Sequence, residues 1–132
     1  MAQRIFQFAI TVRDYDEAIA FYVEKLGFTL AEDTDLGGGK RWVRVLPPGA
    51  AASDAGLLLA RATTPAQLSS VGNQTGGRVF VFLHTDDLRR DHRDLTSRGV
   101  VFVRPPTEEP FGTVAVFEDL YGNKFDLIQP KS

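Results

Sequence analysis

The sequence predicts an α+β fold made of two tandem βαβββ modules in one chain: module one over about 4–62, a linker over about 63–77, and module two over about 78–130. Three observations carry this. First, the chain repeats itself. Residues 8–28 read FAITVRDYDEAIAFYVEKLGF and residues 81–102 read VFLHTDDLRRDHRDLTSRGVVF. Displaced by 73 positions, Ile10 falls on Leu83, Thr11 on His84, Asp14 on Asp87, Tyr15 on Leu88 and Tyr22 on Leu95, and Gly27 meets Gly99 after a small gap. Second, each copy reads as a strand, a capping Asp, an amphipathic helix, a Gly and a new strand. Third, turn-punctuated strand patterns follow each copy. A duplicated unit of this kind places any site between the two copies.

The elements follow in order. Residues 4–12 are rich in Phe, Ile and Val and read as a strand. Asp14 and Glu17 form a capping-box-like start. Tyr15, Ala18, Ile19, Tyr22 and Leu26 share one helical face, and Gly27 is the stop. A strand over 28–35, the Gly37-Gly38-Gly39 turn and a strand over 40–46 form a hairpin that Pro47-Pro48 ends. A small-residue loop precedes a strand over 56–62. Pro65 opens a short helical turn, and Gly72-Asn73 and Gly76-Gly77 mark turns. The second copy gives a strand over 78–85, a helix over 87–98 and a strand over 100–104. Pro105, Pro106 and Pro110 are read as a loop. Strands over 113–118 and 124–129 close around Tyr121-Gly122-Asn123.

A chain of 132 residues buries enough surface to fold without staples. With no cysteine, disulfides, thiolate metal sites and a Cys nucleophile are excluded, which fits a reducing cytoplasm. A net charge of -2 with mixed signs leaves no nucleic-acid footprint. The opening MAQRIFQFAITV holds no long apolar run, so neither a signal peptide nor a membrane span is expected. Ten Phe fill a core or line an apolar cavity.

The strings TVRDYDEAIAFYVEKLGF and FGTVAVFEDLYGNKFDLIQP, with the strand-Asp-helix-Gly unit of the second copy, resemble the vicinal oxygen chelate superfamily of glyoxalases, bleomycin-resistance proteins and extradiol dioxygenases. The resemblance implies a glyoxalase/bleomycin-resistance-like fold, in which the modules form an open, incomplete barrel around a cavity, and a homodimer. In metal-dependent members it places ligands at positions matching Gln7 on the first strand, Phe80 on its counterpart, Leu58 or Leu59 on the last strand of module one, and Asp126 on the last strand of module two. Phenyl and isobutyl groups cannot ligate. A divalent metal is therefore disfavoured and no cofactor is expected.

Strand alternation puts Phe80, Phe82 and His84 on one wall, Gln7, Ala9 and Thr11 on another, and Asp126 and Ile128 on a third. Such a cavity suits a small, partly apolar, polar-ended ligand. His84 is the candidate for acid–base chemistry; its structural alternative is to order the Asp86-Asp87 helix start. Asp126 is a candidate general base or orienter, or else the partner of an Arg such as Arg41 or Arg44. Gln7, Phe80, Phe82, Gln74 and Arg78 are candidate ligand contacts, the last two from a Gly-rich rim that enters a strand and so is not a phosphate-binding loop. His92 and Trp42 read as packing residues. Two functions follow from different classes. One is metal-free binding of a small molecule without chemistry. The other is a glyoxalase-like lyase or isomerase, in which His84 or Asp126 moves a proton with or without a divalent metal. Dioxygenase chemistry is not expected, since neither histidine stands at a ligand position.

Overall fold

The computed structural model describes residues 1–131, and the chain divides between Val71 and Gly72 into two compact units. Unit one contains β1 (Gln7–Val12), α1 (Tyr15–Ala20), a π-helical turn (Phe21–Lys25), β2 (Thr29–Gly37), β3 (Lys40–Leu46), β4 (Gly56–Arg61) and α2 (Pro65–Ser70). Its sheet has the order β1-β4-β3-β2, with β1 and β4 parallel and the other pairs antiparallel. Unit two contains β5 (Val79–His84), α3 (Leu88–Ser97), β6 (Phe102–Glu109), β7 (Gly112–Glu118) and β8 (Lys124–Pro130). Its sheet repeats the plan as β5-β8-β7-β6, with β5 and β8 parallel. Both units contain the βαβββ order that the sequence predicts, and in unit one α2 follows it.

Each module begins with the same local chemistry. The Asp14 carboxylate accepts from the Glu17 backbone N–H at 2.8 Å, and Asp87 accepts from Arg90 at 3.0 Å. A cap of this kind is worth about 1 kcal/mol. Behind the caps, each helix buries one stripe against one sheet face. In module one that face carries Ile10, Val12, Val43, Val45, Leu57 and Leu59, with Tyr15, Ala18 and Tyr22 from the helix above them, all buried. The Tyr15 hydroxyl accepts from the Arg41 backbone N–H, while the Arg41 guanidinium binds Asp33 and Asp16. That arrangement holds the Asp33 carboxyl below the usual carboxylate range, mainly through its bond to Arg41. In module two Phe102, Phe117 and Phe125 form a ring row across three strands, and His92 of α3 meets Phe102 edge-on at 4.6 Å.

The small gap in the repeat has a structural cause. In module two the strand after the helix is entered by Val100 N–H donating to Leu95 C=O at 3.0 Å. In module one the equivalent bond runs from Phe28 to Tyr22 at 2.9 Å, so it spans one residue more. The extra residue is absorbed where Leu26 N–H bonds Phe21 C=O, the five-residue reach of a π-turn. The helix face stays in phase with the sheet on both sides of the insertion.

One expectation is corrected. Pro105 and Pro106 do not form a loop; β6 runs through them to Glu109. β6 is an edge strand, and its pairing with β7 slips between Arg104 and Thr107. A proline lacks the N–H that a ladder needs, and an edge with a bulge is where a sheet tolerates it.

Deleting the exposed Glu24 should convert the π-turn to the α-helical turn of module two. The shortened protein is expected to keep its far-UV circular dichroism and to lose less than about 10 °C in Tm. Loss of cooperative unfolding would show that the insertion is needed for the fold.

Candidate functional site

The helix covers one face of each sheet, and the candidate residues lie on the other. In module two, strand alternation puts Phe82 and His84 of β5 on this second face. Phe82 pairs with Asp126 and His84 with Ile128 on β8, and these pair in turn with Val116 and Val114 on β7. Val114 and Val116 are buried, Asp126 and Ile128 half-buried, and Phe82 is 64% exposed. The surface thus grades from a closed apolar floor to an open aromatic rim. At the start of β5, Gln74, Arg78 and Phe80 line one recess with Asn123 and Lys124. Six of the seven candidates lie on this module in two groups: Gln74, Arg78 and Phe80 at the recess, and Phe82, His84 and Asp126 along the β5–β8 face.

Asp126 is the electrostatic centre of this face. Its Oδ1 is buried with no hydrogen-bond partner. Burial pushes the carboxyl above the usual range, and the Arg104 charge pulls it partly back. Burial wins because Arg104 Nη2 is committed to Glu109 at 2.6 Å. The alternative of a partnership with Arg41 or Arg44 is corrected here. Arg41 belongs to Asp33 and Asp16, Arg44 to backbone carbonyls of module one, and the cation acting on Asp126 is Arg104, in register across Val116.

Gln7 stands on the second face of module one, paired with Gly56, and its Oε1 is buried without a partner. Beside it lies Arg44, whose burial the sequence did not reveal. Arg44 is only 4% exposed and forms no ion pair among the described residues. Its guanidinium donates to the carbonyls of Ala52 (3.2 Å), Phe6 (3.4 Å) and Asp54 (2.7 Å), and its Cζ sits 3.9 Å from the centre of the Phe6 ring. A Cβ at residue 56 would lie 3.2 Å from that Cζ and 2.9 Å from Val45 O, so glycine is what makes room for the buried cation. At the far end of β1, the Thr11 hydroxyl meets Ser70 of α2 at 2.7 Å.

The donor set does not fit a divalent metal. The positions implied by the resemblance fall on Gln7, Phe80, Asp126 and, by pairing register, Leu58, which stands in module one where Asp126 stands in module two. Gln7 has the Arg44 cation as its neighbour across Gly56, and Asp126 is flanked by Phe82 and Val116, with Arg104 as the nearest influential charge. The described residues hold no group of three or more His, Cys, Asp or Glu arranged for a metal. A cation needs several converging N or O donors, and neither module supplies them.

Lys124, Arg104 and Asn123 stand beside the candidates and were not singled out by sequence reasoning, and Arg44 was considered only as a partner for Asp126. Lys124 had a readable signal, two positions before Asp126 and so on the same face. Arg104 had none, because only the bulged register of β6 aligns it with Asp126.

Comparison with known proteins gives a consistent result. The model of the Glyoxalase/Bleomycin resistance protein/Dioxygenase superfamily matches residues 4–127. An uncharacterized protein of Shewanella frigidimarina (strain NCIMB 400) is 57% identical over 130 residues, covering 98% of this chain and 95% of its own. The crystal structure of UcmS2 superposes with a TM-score of 0.84 at 34% identity, over 97% of this chain and 98% of its own. TnmS3, described as an antibiotic binding protein from Streptomyces sp. CB03234, gives 0.78 at 34% identity, over 98% of each chain. No helix among the described residues is long and apolar enough to cross a membrane.

Asp126 generates a pH prediction. Its folded pKa lies above the unfolded one, so the full contribution to stability is present below the ordinary carboxylate value of 3.8 and is lost as pH rises through the folded value. Asp126→Asn removes this loss. The Tm difference between variant and wild type should therefore be more positive at about pH 7 than at about pH 3. A difference that is flat or reversed between the two would contradict the buried, poorly compensated carboxylate.

Proposed function

Because the chain belongs to the Glyoxalase/Bleomycin resistance protein/Dioxygenase superfamily, we propose that it binds a small, partly apolar molecule without a metal and without altering it. Phe80 and Phe82 contact the apolar body. Asp126, Gln74 and Arg78 meet polar groups on module two, and Gln7 contributes an amide on module one.

The observation that carries this reading is Phe82. Its ring is 64% exposed beside a half-buried carboxylate, in a row that runs on to a buried valine. Covering a phenyl ring with an apolar ligand is worth about 2 kcal/mol, whereas a scattered exposed ring contributes little. The antibiotic-binding description of TnmS3 supports the same class of ligand. The net charge of -2 argues against a strongly cationic drug, which favours a strongly acidic groove.

The second reading is a glyoxalase-like lyase or isomerase. In its favour, His84 and Asp126 are titratable groups on one face, and Asp126 is pushed toward neutrality. Against it, a metal-free enzyme needs donors for a developing oxyanion, and the best-placed cation, Arg104, is engaged by Glu109. A homodimer, as the resemblance implies, and a cytoplasmic location, which the absence of cysteine suits, complete the proposal.

The test uses N-phenyl-1-naphthylamine, a neutral aromatic probe. Saturable fluorescence enhancement is expected with the wild type. Phe82→Ala should weaken it by about tenfold or more with little change in Tm, since that ring supports no core. Absence of saturable binding would remove the reading. Turnover of a keto-aldehyde adduct that His84→Ala abolishes would transfer the proposal to the lyase.

A further inference from the structure

The recess at the start of β5 carries charge that no ion pair among the described residues neutralises. It is lined by Gly72, Gln74, Arg78, Phe80, Asn123 and Lys124, among others. Arg78 is exposed and is in no ion pair among the described residues. Lys124 Nζ turns to the Gly77 carbonyl at 3.1 Å, although Glu118 stands opposite it in the β7–β8 register and Asp126 lies two residues on. Two cations on one recess repel each other, and neither carboxylate on this face closes the gap. By contrast, Arg41, Arg90 and Arg104 are each matched to a carboxylate within 2.9 Å.

The recess is built rather than accidental. Gly72 has a φ of +73°, and a Cβ there would collide with the Tyr121 carbonyl oxygen, so the loop over 72–78 is pressed against the turn that follows β7. That turn is itself locked. The buried Asp119 carboxylate accepts from the backbone N–H of Tyr121, from that of Asn123, and from Asn123 Nδ2, each at 2.9 Å. Lys124 follows directly from this turn, so its position is inherited from a rigid element, and a charge held in place needs less ordering to bind.

We propose that Arg78 and Lys124 form an anion subsite that receives the acidic group of the ligand, a carboxylate or phosphate, while Phe80 and Phe82 hold its aromatic or aliphatic body. This deepens the small-molecule reading above and rests on it. Phe80 makes the connection: it lines the recess, sits where the β5–β8 register slips, and precedes Phe82 by two residues on the same strand. The recess itself is small, about 20 Å³, which is room for one water-sized group. Asn123 Oδ1, buried and unpartnered, asks for a donor, which an anion is not. The acid group therefore binds at the mouth, where Arg78 stands. Charge-assisted hydrogen bonds from a guanidinium and an ammonium favour it over a neutral head of the same size.

The test compares two probes with nearly the same aromatic body. 8-Anilinonaphthalene-1-sulfonate carries an anion, and N-phenyl-1-naphthylamine does not. The wild type should bind the sulfonate about tenfold more tightly at low salt, and the ratio should shrink as ionic strength rises. In Arg78→Gln/Lys124→Gln the ratio should fall to about one, whereas Phe82→Ala should weaken both probes and keep the ratio. Inorganic phosphate alone should compete with the sulfonate only weakly, because the aromatic body supplies most of the affinity; equal competition would assign the subsite to free anions and overturn the proposal. Equal binding of both probes by the wild type, or a ratio untouched by the double variant, would overturn it while leaving the small-molecule reading in place. Failure of the neutral probe to bind at all would remove both.

Discussion

Each module has one packing helix and a four-stranded sheet with two faces, and this mismatch governs the molecule. A helix of six to ten residues covers one face. In module one Ile10, Val43, Val45 and Leu59 vanish under α1, and in module two Phe117 and Phe125 lie on the covered side. The opposite faces must find other solutions. Their central strands close over, as the buried Val114, Val116 and Leu46 show, but the outer strand of module two leaves Phe82 and His84 exposed. Hydrophobic burial under the helix thus accounts for one face of each sheet, and the candidate residues stand on the other.

Duplication makes the two faces directly comparable. One row across the sheet of module one reads Ala9, Leu58, Arg44, Glu32; the same row in module two reads Phe82, Asp126, Val116, Arg104. The backbone positions match, and the polarity is inverted. Module one buries a cation on its third strand and surrounds it with carbonyls. Module two buries a carboxylate on its last strand and leaves it under-solvated. A buried charge is costly unless it is compensated. Arg44 is compensated by three carbonyls and the Phe6 ring, and Asp126 only at a distance by Arg104. That difference leaves Asp126 the less compensated of the two charges, while Arg44 serves to tie the loop after β3 to the start of β1.

The order of elements, both helix caps and the parity of the strand faces were legible in the sequence, because each rests on local periodicity or on a side chain that reaches only three residues. What was not legible depended on insertions and register. The small gap before Gly27 was visible, yet only the bond from Phe28 to Tyr22 shows that a π-turn absorbs it. Pro105-Pro106 read as a loop because sequence cannot tell an edge strand from a central one. Arg104 and Asp126 meet through a bulge two strands away, and Arg44 is buried only because Gly56, on a neighbouring strand, has no side chain. That Phe82 and His84 share a face with Asp126 and Ile128 was legible in part, because alternation along β5 and along β8 needs no knowledge of pairing.

The central claim is that the second face of module two, and not the helix face or the β2–β3 hairpin, receives a small molecule. A titration of ¹⁵N-labelled protein with N-phenyl-1-naphthylamine, followed by ¹H–¹⁵N correlation spectra, tests it directly. The account predicts the largest shifts at residues 79–84 and 124–128 and at Arg104, with α3 little affected. Shifts concentrated in α3 or around residues 33–41, with β5 and β8 unmoved, would contradict it.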